Sequence, residues 1–337
     1  MAGSELIGKE EKKEVMDILE TGIFMRYGFD EERKGVFKVK EFEKAFVDYL
    51  GIGHALGVTS GSAALKVALT ALDVGPGDEV LVPAFDFIAT YEAVLEVGAI
   101  PIMTDIDESL NLDPEDIEAK ITPATKCVIP VHMCGAAAQI DKIIEIAKKH
   151  NLVVLEDNAQ ACGGSYRGKK LGTFGDMAIL SFDYYKTMTT GEGGMVLTNS
   201  KALKDALGAV PGIGFRKLFD PDGDTATFLG FNLPDEATAK RFQNLLADRG
   251  VGTIYYRDNT WHYAPRWEHL IARATANSKQ FPFTNPMYKG TVRYSVEDIP
   301  HAEEIMSRTL FMIIPVKMSE EARAKITDAI AEAAKEL

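Results

Sequence analysis

The chain has 337 residues, 46% of them hydrophobic and 26% charged, with a formal net charge of −13. That length suffices for two domains, and the composition is that of an ordinary globular protein. The acidic excess, with no basic block, argues against nucleic acid or an anionic membrane surface as the main partner. No apolar run reaches the roughly 18 residues that a membrane-spanning helix needs, so none is predicted.

The cysteines and the N-terminus point to a reducing compartment. Cys127, Cys134 and Cys162 are odd in number and include no CxxC pair, which predicts reduced, buried thiols rather than disulfides or a zinc site. The N-terminal segment MAGSELIGKEEKKEV is charged and lacks the apolar core of a signal peptide. We therefore expect a cytoplasmic protein without a metal ion.

Residues 1–50 are predicted to form an N-terminal arm. Two amphipathic helices, Glu10–Glu20 and Val39–Leu50, are each followed closely by a glycine. The segment between them, IFMRYGFDEERKGVFKV, predicts an irregular connector. It either packs as a simple connector or brings Arg26 and Tyr27 to a substrate, and the sequence leaves both open.

The region that follows alternates short apolar runs with helical patterns, which is typical of a mostly parallel sheet with helices on both faces. The predicted strands are His54–Thr59, Glu79–Pro83, Ile100–Asp105, Lys126–Val131, Leu152–Glu156, Ala178–Phe182 and Met195–Thr198. The predicted helices are Ala63–Leu72, Tyr91–Val97, Pro114–Lys120 and Ile140–His150.

The pattern changes after Asn199, where a smaller α+β domain is predicted. Its strands are expected at Ile213–Lys217, Thr227–Leu233 and Thr253–Tyr256, and its helices, after a short one at Lys201–Leu207, at Glu236–Arg249 and Glu320–Leu337. We therefore predict a large domain over residues 1–205 and a small C-terminal domain over 206–337. An aromatic loop at 261–267 is assigned to core packing, although it could also touch a substrate.

One lysine stands out in the stretch LSFDYYKTMTTGEGGMV, residues 180–196. Lys186 lies between an apolar lead-in and a turn rich in Thr and Gly. Burial there would favour the neutral amine, the form that condenses with a carbonyl group. The stretch alone is equally consistent with a surface lysine in a hairpin.

Other features are expected at the same edge of the sheet. Ser60-Gly61-Ser62, before a helix, could bind a phosphate, and Phe87, beyond a strand end, could stack on a flat ring. Asp157, at another strand tip, could hold a cationic ring nitrogen or cap a helix, and His132 is interpreted as a hydrogen-bonded wall residue. With Lys186, these are the groups that pyridoxal 5′-phosphate needs. No GxGxxG or P-loop sequence suggests another cofactor.

Five segments resemble the motifs of the DegT/DnrJ/StrS family of sugar aminotransferases: TSGSAAL (59–65), PAFDFIAT (83–90), LEDNAQACGGSY (155–166), GTFGDMAILSF (172–182) and KTMTTGEGGMV (186–196). The resemblance implies an α/β fold of PLP fold-type I, similar to aspartate aminotransferase, with pyridoxal 5′-phosphate as cofactor. It further implies L-glutamate as amino donor, a keto or aldehyde sugar as acceptor, and a homodimer with sites between subunits.

The resemblance also implies roles for individual residues. Lys186 would form the Schiff base and shuttle the proton, and Asp157 would pair with the pyridinium nitrogen. Gln160 would contact the side of the ring that carries the 3′-oxygen, and Phe87 would stack on the ring. The phosphate would be held by three small residues: Gly61, Ser62 and Ser181. Related dehydratases have His in place of the lysine, so Lys186 favours an aminotransferase.

Further segments resemble one subgroup of that family. They are the arm segment IFMRYGFD, VHMCG (131–135), SFD (181–183, where the family often has SFH), NTWHY (259–263) and EIMSRT (304–309). Members of that subgroup aminate C8 of 3,8-dideoxy-8-oxo-manno-octulosonate, a sugar acid of lipopolysaccharide. Arg26, Tyr27 and His262 would then be candidate substrate residues. The alternative acceptor is a nucleotide-linked 3- or 4-keto-6-deoxy sugar.

The sequence departs from the family pattern after Asn199. The family has a long helical segment there, with a GxNYR-type motif whose Asn reaches the phosphate in the neighbouring subunit. Here KALKDALGAVPGI follows almost directly. Either the protein is shortened at this point or a stretch is missing from the sequence. If the deletion is real, the alternative function is that of a non-catalytic binding or regulatory protein on the same scaffold.

Overall fold

The computed structural model describes residues 3–25, 28–53, 55–190, 214–215, 219–225, 227–275, 279–315 and 318–337. The helices of these residues are α1 Lys9–Thr21, α2 Lys38–Leu50, α3 Gly61–Ala71, α4 Ala89–Glu96, α5 Pro114–Lys120, α6 Ile140–His150, α7 Glu236–Asp248, α8 Glu268–Ile271, α9 Pro300–Ser307 and α10 Glu320–Ala334. The strands are β1 Glu79–Pro83, β2 Ile100–Thr104, β3 Thr125–Val128, β4 Val153–Asp157, β5 Ser165–Tyr166, β6 Lys169–Lys170, β7 Met177–Ile179, β8 Gly214–Phe215, β9 Phe228–Asn232 and β10 Thr309–Ile313.

The central sheet has five strands in the order β2-β1-β3-β4-β7. Every neighbouring pair in it is parallel. All five residues of β1 are buried, as expected for a strand in a sheet that is covered on both faces. The arrangement confirms the predicted α/β class with a mostly parallel sheet.

The parallel sheet explains where functional side chains collect. Because the carboxyl ends of parallel strands meet at one edge, the residues that follow them become neighbours. We call this the carboxyl edge. Phe87 follows β1, His132 follows β3, Asp157 ends β4 and Ser181 follows β7. The order of these residues along the edge is therefore fixed by the order of the strands.

A second sheet, β10-β9-β8, is antiparallel. Its β9 and β10 contribute Phe231 and Leu310 to a core that also contains Phe242 of α7 and Ile330 of α10. The opposite side of β10 reaches the main core, where the rings of Phe85 and Phe311 lie 5.8 Å apart. The division of the chain at residues 205 and 206 stays a prediction, and these residues lie outside the described part.

Two predicted strands were wrong. Residues 55–59 form no strand, and Leu56 and Val58 are exposed, so a local apolar pattern found no neighbouring strand to pair with. In Thr253–Tyr256, Ile254 makes a single bridge to Phe311 before a 3-10 turn begins at Tyr256.

The other strand predictions differ in extent. Ala178–Phe182 is replaced by the shorter β7, which ends at Ile179, and within Ile213–Lys217 the described residues Gly214–Phe215 form β8. The expected strand Met195–Thr198 and helix Lys201–Leu207 lie outside the described residues, as does the departure from the family pattern after Asn199.

The three cysteines are buried, as predicted, and no disulfide joins them in the described part of the chain. Burial raises the pKa of the Cys162 thiol to about 11, so the thiol stays protonated at neutral pH. In the parts of the chain that the structure describes, no helix is long and apolar enough to cross a bilayer, and no cluster of potential metal ligands occurs.

Candidate active site

Asp157 ends β4 at the centre of the carboxyl edge and is 4% exposed. Its Oδ1 accepts the N–H of Ala159 at 2.9 Å and its Oδ2 accepts the Thr90 hydroxyl at 3.4 Å. Burial raises the pKa of Asp157, whereas the Ala159 N–H, Lys186 and His132 oppose the rise. The carboxyl group is therefore placed to gain from a cationic partner.

Asp86 is a second carboxyl group beside Asp157, and we call the two the acidic pair. It is 1% exposed, its Oδ1 accepts the N–H of Phe87 at 2.6 Å, and its Oδ2 has no hydrogen-bond partner among the described residues. Burial, and then the charge of Asp157, raise the pKa of Asp86 well above its ordinary value. The sequence motifs did not point to this residue, although a carboxylate within the apolar run PAFDFIAT is itself a signal.

Glu156, immediately before Asp157 in the chain, holds the loop that leads to β7. Its Oε1 accepts the N–H of Phe174 at 2.5 Å and of Gly175 at 2.7 Å, and its Oε2 accepts the N–H of Gly172 at 2.9 Å. Burial works against ionisation, but His132 and the backbone donors outweigh it and lower the pKa of Glu156. The carboxylate is thus a fully buried anion with its oxygens satisfied.

His132 joins this carboxylate to the end of β4. Its Nδ1 accepts the N–H of Ala138 at 3.2 Å, so its Nε2 carries the hydrogen that faces Glu156 Oε2 at 3.2 Å. The N–H of His132 also donates to the carbonyl of Asp157 at 3.1 Å. These contacts agree with the interpretation of His132 as a hydrogen-bonded wall residue, and they fix the backbone that carries Asp157.

Lys186 lies on the same side of the site as Phe87. Its Nζ is 5.7 Å from the centroid of the Phe87 ring, and its charge acts on both members of the acidic pair. The flanking Thr187 and Thr189 are buried, and their hydroxyl groups lack a hydrogen-bond partner in the described chain. Because buried hydroxyls are normally paired, these two mark a place that a ligand or water would complete.

An aromatic wall surrounds Phe87. The Trp261 ring is parallel to Phe87 within 8° at 6.4 Å, and the His262 ring is 5.4 Å away. Two backbone hydrogen bonds of 3.0 Å, from Asp86 to His262 and from Ile88 to Trp261, hold the two segments together. The loop at 261–267 thus combines the predicted core packing, through the buried Trp267 and others, with a position beside the site.

The phosphate end, which we define as Gly61, Ser62 and Ser181, lies at the start of α3. Ser60 caps this helix by accepting the N–H of Ala63 at 3.1 Å, which leaves the first N–H groups of the helix available to an anion. A Cβ on Gly61 would lie 2.8 Å from Ser181 Cβ, so only glycine allows the two segments to approach. The structure therefore brings together the three residues that sequence analysis assigned to the phosphate.

The remaining predicted residues have different outcomes. Gln160 is buried, and its Oε1 accepts the N–H of Cys134 at 3.0 Å, while its contact with a cofactor ring stays a prediction. His262 lies in the aromatic wall beside Lys186. Arg26 and Tyr27 lie outside the described residues.

Solved structures show the same fold. The crystal structure of 3-amino-5-hydroxybenzoic acid synthase matches with a TM-score of 0.76 and 25% identity, over 98% of each chain. The PLP form of the putative sugar aminotransferase Spr1654 from Streptococcus pneumoniae matches with a TM-score of 0.78 and 20% identity, over 98% of this chain and 97% of that one.

The site residues fit pyridoxal phosphate on their own chemistry. Asp157 offers a buried carboxyl group to a ring nitrogen, Lys186 an amine, and Phe87 a flat ring. The phosphate end offers helix N–H groups and hydroxyls, and the hydroxyls of Thr187 and Thr189, which have no partner among the described residues, leave polar capacity unused.

Comparison with known sequences agrees with this fit. The chain is 41% identical over 239 residues to GDP-perosamine synthase of Caulobacter vibrioides, a match that covers 70% of this chain and 58% of that protein. It spans about half the length of the curated relatives it matches. Residues 5–234 match the model of the DegT/DnrJ/EryC1/StrS aminotransferase family. The chain belongs to that family, whose members use pyridoxal phosphate.

Proposed function

We propose that this protein is a PLP-dependent aminotransferase that transfers an amino group from L-glutamate to a keto or aldehyde sugar. The observation that carries the proposal is the meeting of Lys186, Asp157 and Phe87 at one carboxyl edge, with the phosphate end beside them. Amine, carboxylate, aromatic ring and phosphate donors are the set that this cofactor requires.

Each residue of the site would have a separate role in amino transfer. When bound, the cofactor supplies an electron sink that stabilises negative charge on the substrate carbon. Asp157 would hold the ring nitrogen in its cationic form, because a buried carboxylate favours a neighbouring cation. Lys186 would hold the cofactor and carry the proton to and from the substrate carbon, while Phe87 and the phosphate end fix the ring plane.

His262 would contribute a hydrogen bond rather than a positive charge. Burial, and then the charge of Lys186, lower its pKa to about 4, so the ring is neutral at physiological pH. Its Nδ1 lies 3.0 Å from Asn259 Oδ1, an acceptor, which leaves Nε2 as an acceptor. A substrate hydroxyl therefore suits His262 better than a carboxylate does.

For the acceptor, we propose C8 of 3,8-dideoxy-8-oxo-manno-octulosonate, on the strength of the subgroup motifs NTWHY and SFD. A second candidate is a nucleotide-linked keto sugar, which the names of two relatives favour. These are GDP-perosamine synthase and, at 44% identity over 184 residues, UDP-N-acetyl-3-dehydro-alpha-D-glucosamine 3-aminotransferase of Acidithiobacillus ferrooxidans. A homodimer in the cytoplasm and the domain division at 205 and 206 belong to the same proposal.

Titration with pyridoxal phosphate tests the cofactor site. We expect a visible absorption band with the wild type and its loss in Lys186→Ala. Lys149→Ala is the matched control. Lys149 is an exposed lysine in the last turn of α6, and that end of the helix lies at the edge of the sheet opposite the carboxyl edge. No band with excess cofactor in the wild type would overturn the enzyme assignment and favour a binding or regulatory protein.

Amino transfer itself is tested by release of 2-oxoglutarate from glutamate. Wild type and Lys186→Ala should be compared with the octulosonate aldehyde and with GDP- and UDP-linked keto sugars. Release with the octulosonate alone supports the first acceptor, and release with a nucleotide sugar alone replaces it with the second. Cofactor binding without release for any sugar would contradict the aminotransferase proposal.

A further inference from the structure

Asp86 presents an unusual electrostatic problem at the carboxyl edge. Two carboxyl groups, Asp86 and Asp157, are buried at 1% and 4% exposure and act directly on each other. The cation that acts on both is Lys186, while His132 acts on Asp157 and Asp86 acts on Tyr91 of α4. Two adjacent buried carboxylates beside one ammonium would leave an uncompensated charge, so one proton is best shared between them.

The hydrogen bonds distinguish the two acids. Asp157 accepts the Ala159 N–H and the Thr90 hydroxyl, one on each oxygen. Asp86 accepts one N–H, from Phe87, and its Oδ2 remains buried without a partner in the described chain. Since donors stabilise the ionised form, the negative charge belongs on Asp157 and the proton on Asp86.

Thr90 links the acids in one direction only. Its hydroxyl donates to Asp157 Oδ2 at 3.4 Å, and it also lowers the pKa of Asp86, although Asp86 Oδ2 has no hydrogen-bond partner among the described residues. A hydroxyl has a single hydrogen, so it cannot donate to two carboxylates at once, but it can accept from a protonated Asp86 while donating to Asp157. Only a protonated Asp86 would therefore allow this one hydroxyl to serve both acids.

We propose that Asp86 is the proton-holding partner of Asp157: its carboxyl stays protonated in the resting protein and, through Thr90, leaves Asp157 as the single anion that faces the cofactor ring nitrogen. Asp86 is then a positioning residue that acts through Asp157. Its link to the ring nitrogen rests on the proposed function, but the proton is a property of the chain itself and is tested on the full chain without cofactor.

Infrared spectroscopy tests where the proton is. The difference spectrum between wild type and Asp86→Asn at neutral pH should contain the carbonyl stretch of a protonated carboxylic acid, absent from the variant. In Asp157→Asn, which removes the neighbouring charge, that stretch should disappear at a lower pH than in the wild type. A carboxylate signal for Asp86 at neutral pH, or an acid signal lost with Asp157→Asn and kept with Asp86→Asn, would overturn the proposal.

Thermal unfolding provides a second measurement. The pH dependence of the stability difference between Asp86→Asn and the wild type has the opposite sign if Asp86 is an ionised, merely structural carboxylate. A raised pKa means that, above the ordinary value of about 4, the folded chain holds a proton that the unfolded chain releases, so the wild type loses stability as pH rises. Asp86→Asn lacks this loss. The melting temperature of the variant minus that of the wild type should therefore increase from pH 4 to pH 8, and a decrease would overturn the proposal.

Two further comparisons complete the test. Thr90→Val removes the link without changing charge, and it should shift the frequency of the Asp86 acid stretch. Titration with pyridoxal phosphate separates the two proposals. If neither the wild type nor any variant binds the cofactor, the proposed function is contradicted, whereas the infrared spectra still show whether Asp86 is protonated. If Asp86→Asn does not fold, the test rests on Asp157→Asn alone, in which the acid stretch should disappear at a lower pH than in the wild type.

Discussion

The acidic pair and the phosphate end would bind charge in different ways. Asp86 and Asp157 are buried ionisable groups whose pKa values are raised by burial, and the charge of Asp157 raises that of Asp86 further. Gly61, Ser62 and Ser181 carry no ionisable side chain, and they offer backbone N–H groups, hydroxyls and the dipole of α3. One end therefore depends on protonation, and the other depends on close packing.

The two ends therefore tolerate different kinds of substitution. A buried carboxylate is maintained by a shell of donors, so an isosteric amide that keeps the shape still removes the charge. A helix N-terminus keeps its partial charge through most substitutions but loses its function when a side chain obstructs the approach.

Glu156→Gln breaks the support behind the acidic pair. Removal of the charge leaves His132 and three backbone N–H groups without an anion, and we expect a loss of about 3–5 kcal/mol in the free energy of unfolding at pH 7. The pKa of Glu156 is lowered, so its contribution is present above the ordinary value of about 4.5 and is lost as pH falls through the folded pKa.

Urea unfolding at pH 7 and pH 4 measures both parts of this prediction. The difference between wild type and Glu156→Gln should narrow at the lower pH. Glu145→Gln, on the exposed face of α6, is the control and should change stability by less than about 0.5 kcal/mol. An equal difference at both pH values would show that the charge of Glu156 is not what stabilises this loop.

Asp157→Asn removes the charge of the acidic pair and keeps its shape. We expect turnover to fall roughly 10²–10³-fold, the usual cost of losing a preorganised electrostatic partner in a buried site. Asp48→Asn, on the exposed face of α2, should leave turnover unchanged. Measured amino transfer within threefold of wild type would mean that another group holds the ring nitrogen.

Gly61→Ala tests the packing of the phosphate end. The added Cβ would lie 2.8 Å from Ser181 Cβ, and we expect the affinity for pyridoxal phosphate to weaken by about 1–3 kcal/mol, which is roughly a five- to 150-fold rise in Kd. Gly53→Ala is the matched control, because a Cβ there meets open space.

The double variant Gly61→Ala, Ser181→Gly sharpens this result. Removing the Ser181 side chain relieves the contact with the new Cβ, so part of the lost affinity should return if packing is the cause. Titration by visible absorption measures each Kd. Additive losses in the double variant would instead indicate that the Ser181 hydroxyl binds the phosphate independently.

Phe87→Leu has the smallest expected effect. It keeps an apolar side chain but removes the ring that lies 5.7 Å from Lys186 Nζ, and aromatic stacking contributes about 0.5–1.5 kcal/mol. We expect a two- to tenfold rise in the Kd for pyridoxal phosphate. Phe24→Leu, at an exposed ring, should leave the Kd unchanged, and equal effects of both variants would argue against stacking by Phe87.

Sequence patterns predicted the elements with strong periodicity and clear ends. The bounds of β1, α5 and α6 agree with the predicted ranges, because each has a continuous apolar run or an amphipathic face with a capping residue. Residues 55–59 show the limit of this reasoning. An apolar run indicates burial in a sheet only if a neighbouring strand is present, and sequence does not show that partner.

The carboxyl edge could be predicted in part for a similar reason. Phe87, Asp157 and Ser181 follow strands, so their position came from the strand pattern, and their chemistry from the family resemblance. Asp86 was missed although it is adjacent to Phe87. Nothing local shows that Thr90, one turn later, contacts a carboxylate 67 residues away.

Periodicity and short motifs are local properties of the chain, so they were enough to predict the α/β class, the family and the residue types at the strand ends. Which acids lie together, the neutral state of His262 and the packing of Gly61 against Ser181 depend instead on the tertiary structure. Burial and electrostatic coupling arise between segments far apart in sequence, so these properties exist only once the strands have assembled into the sheet.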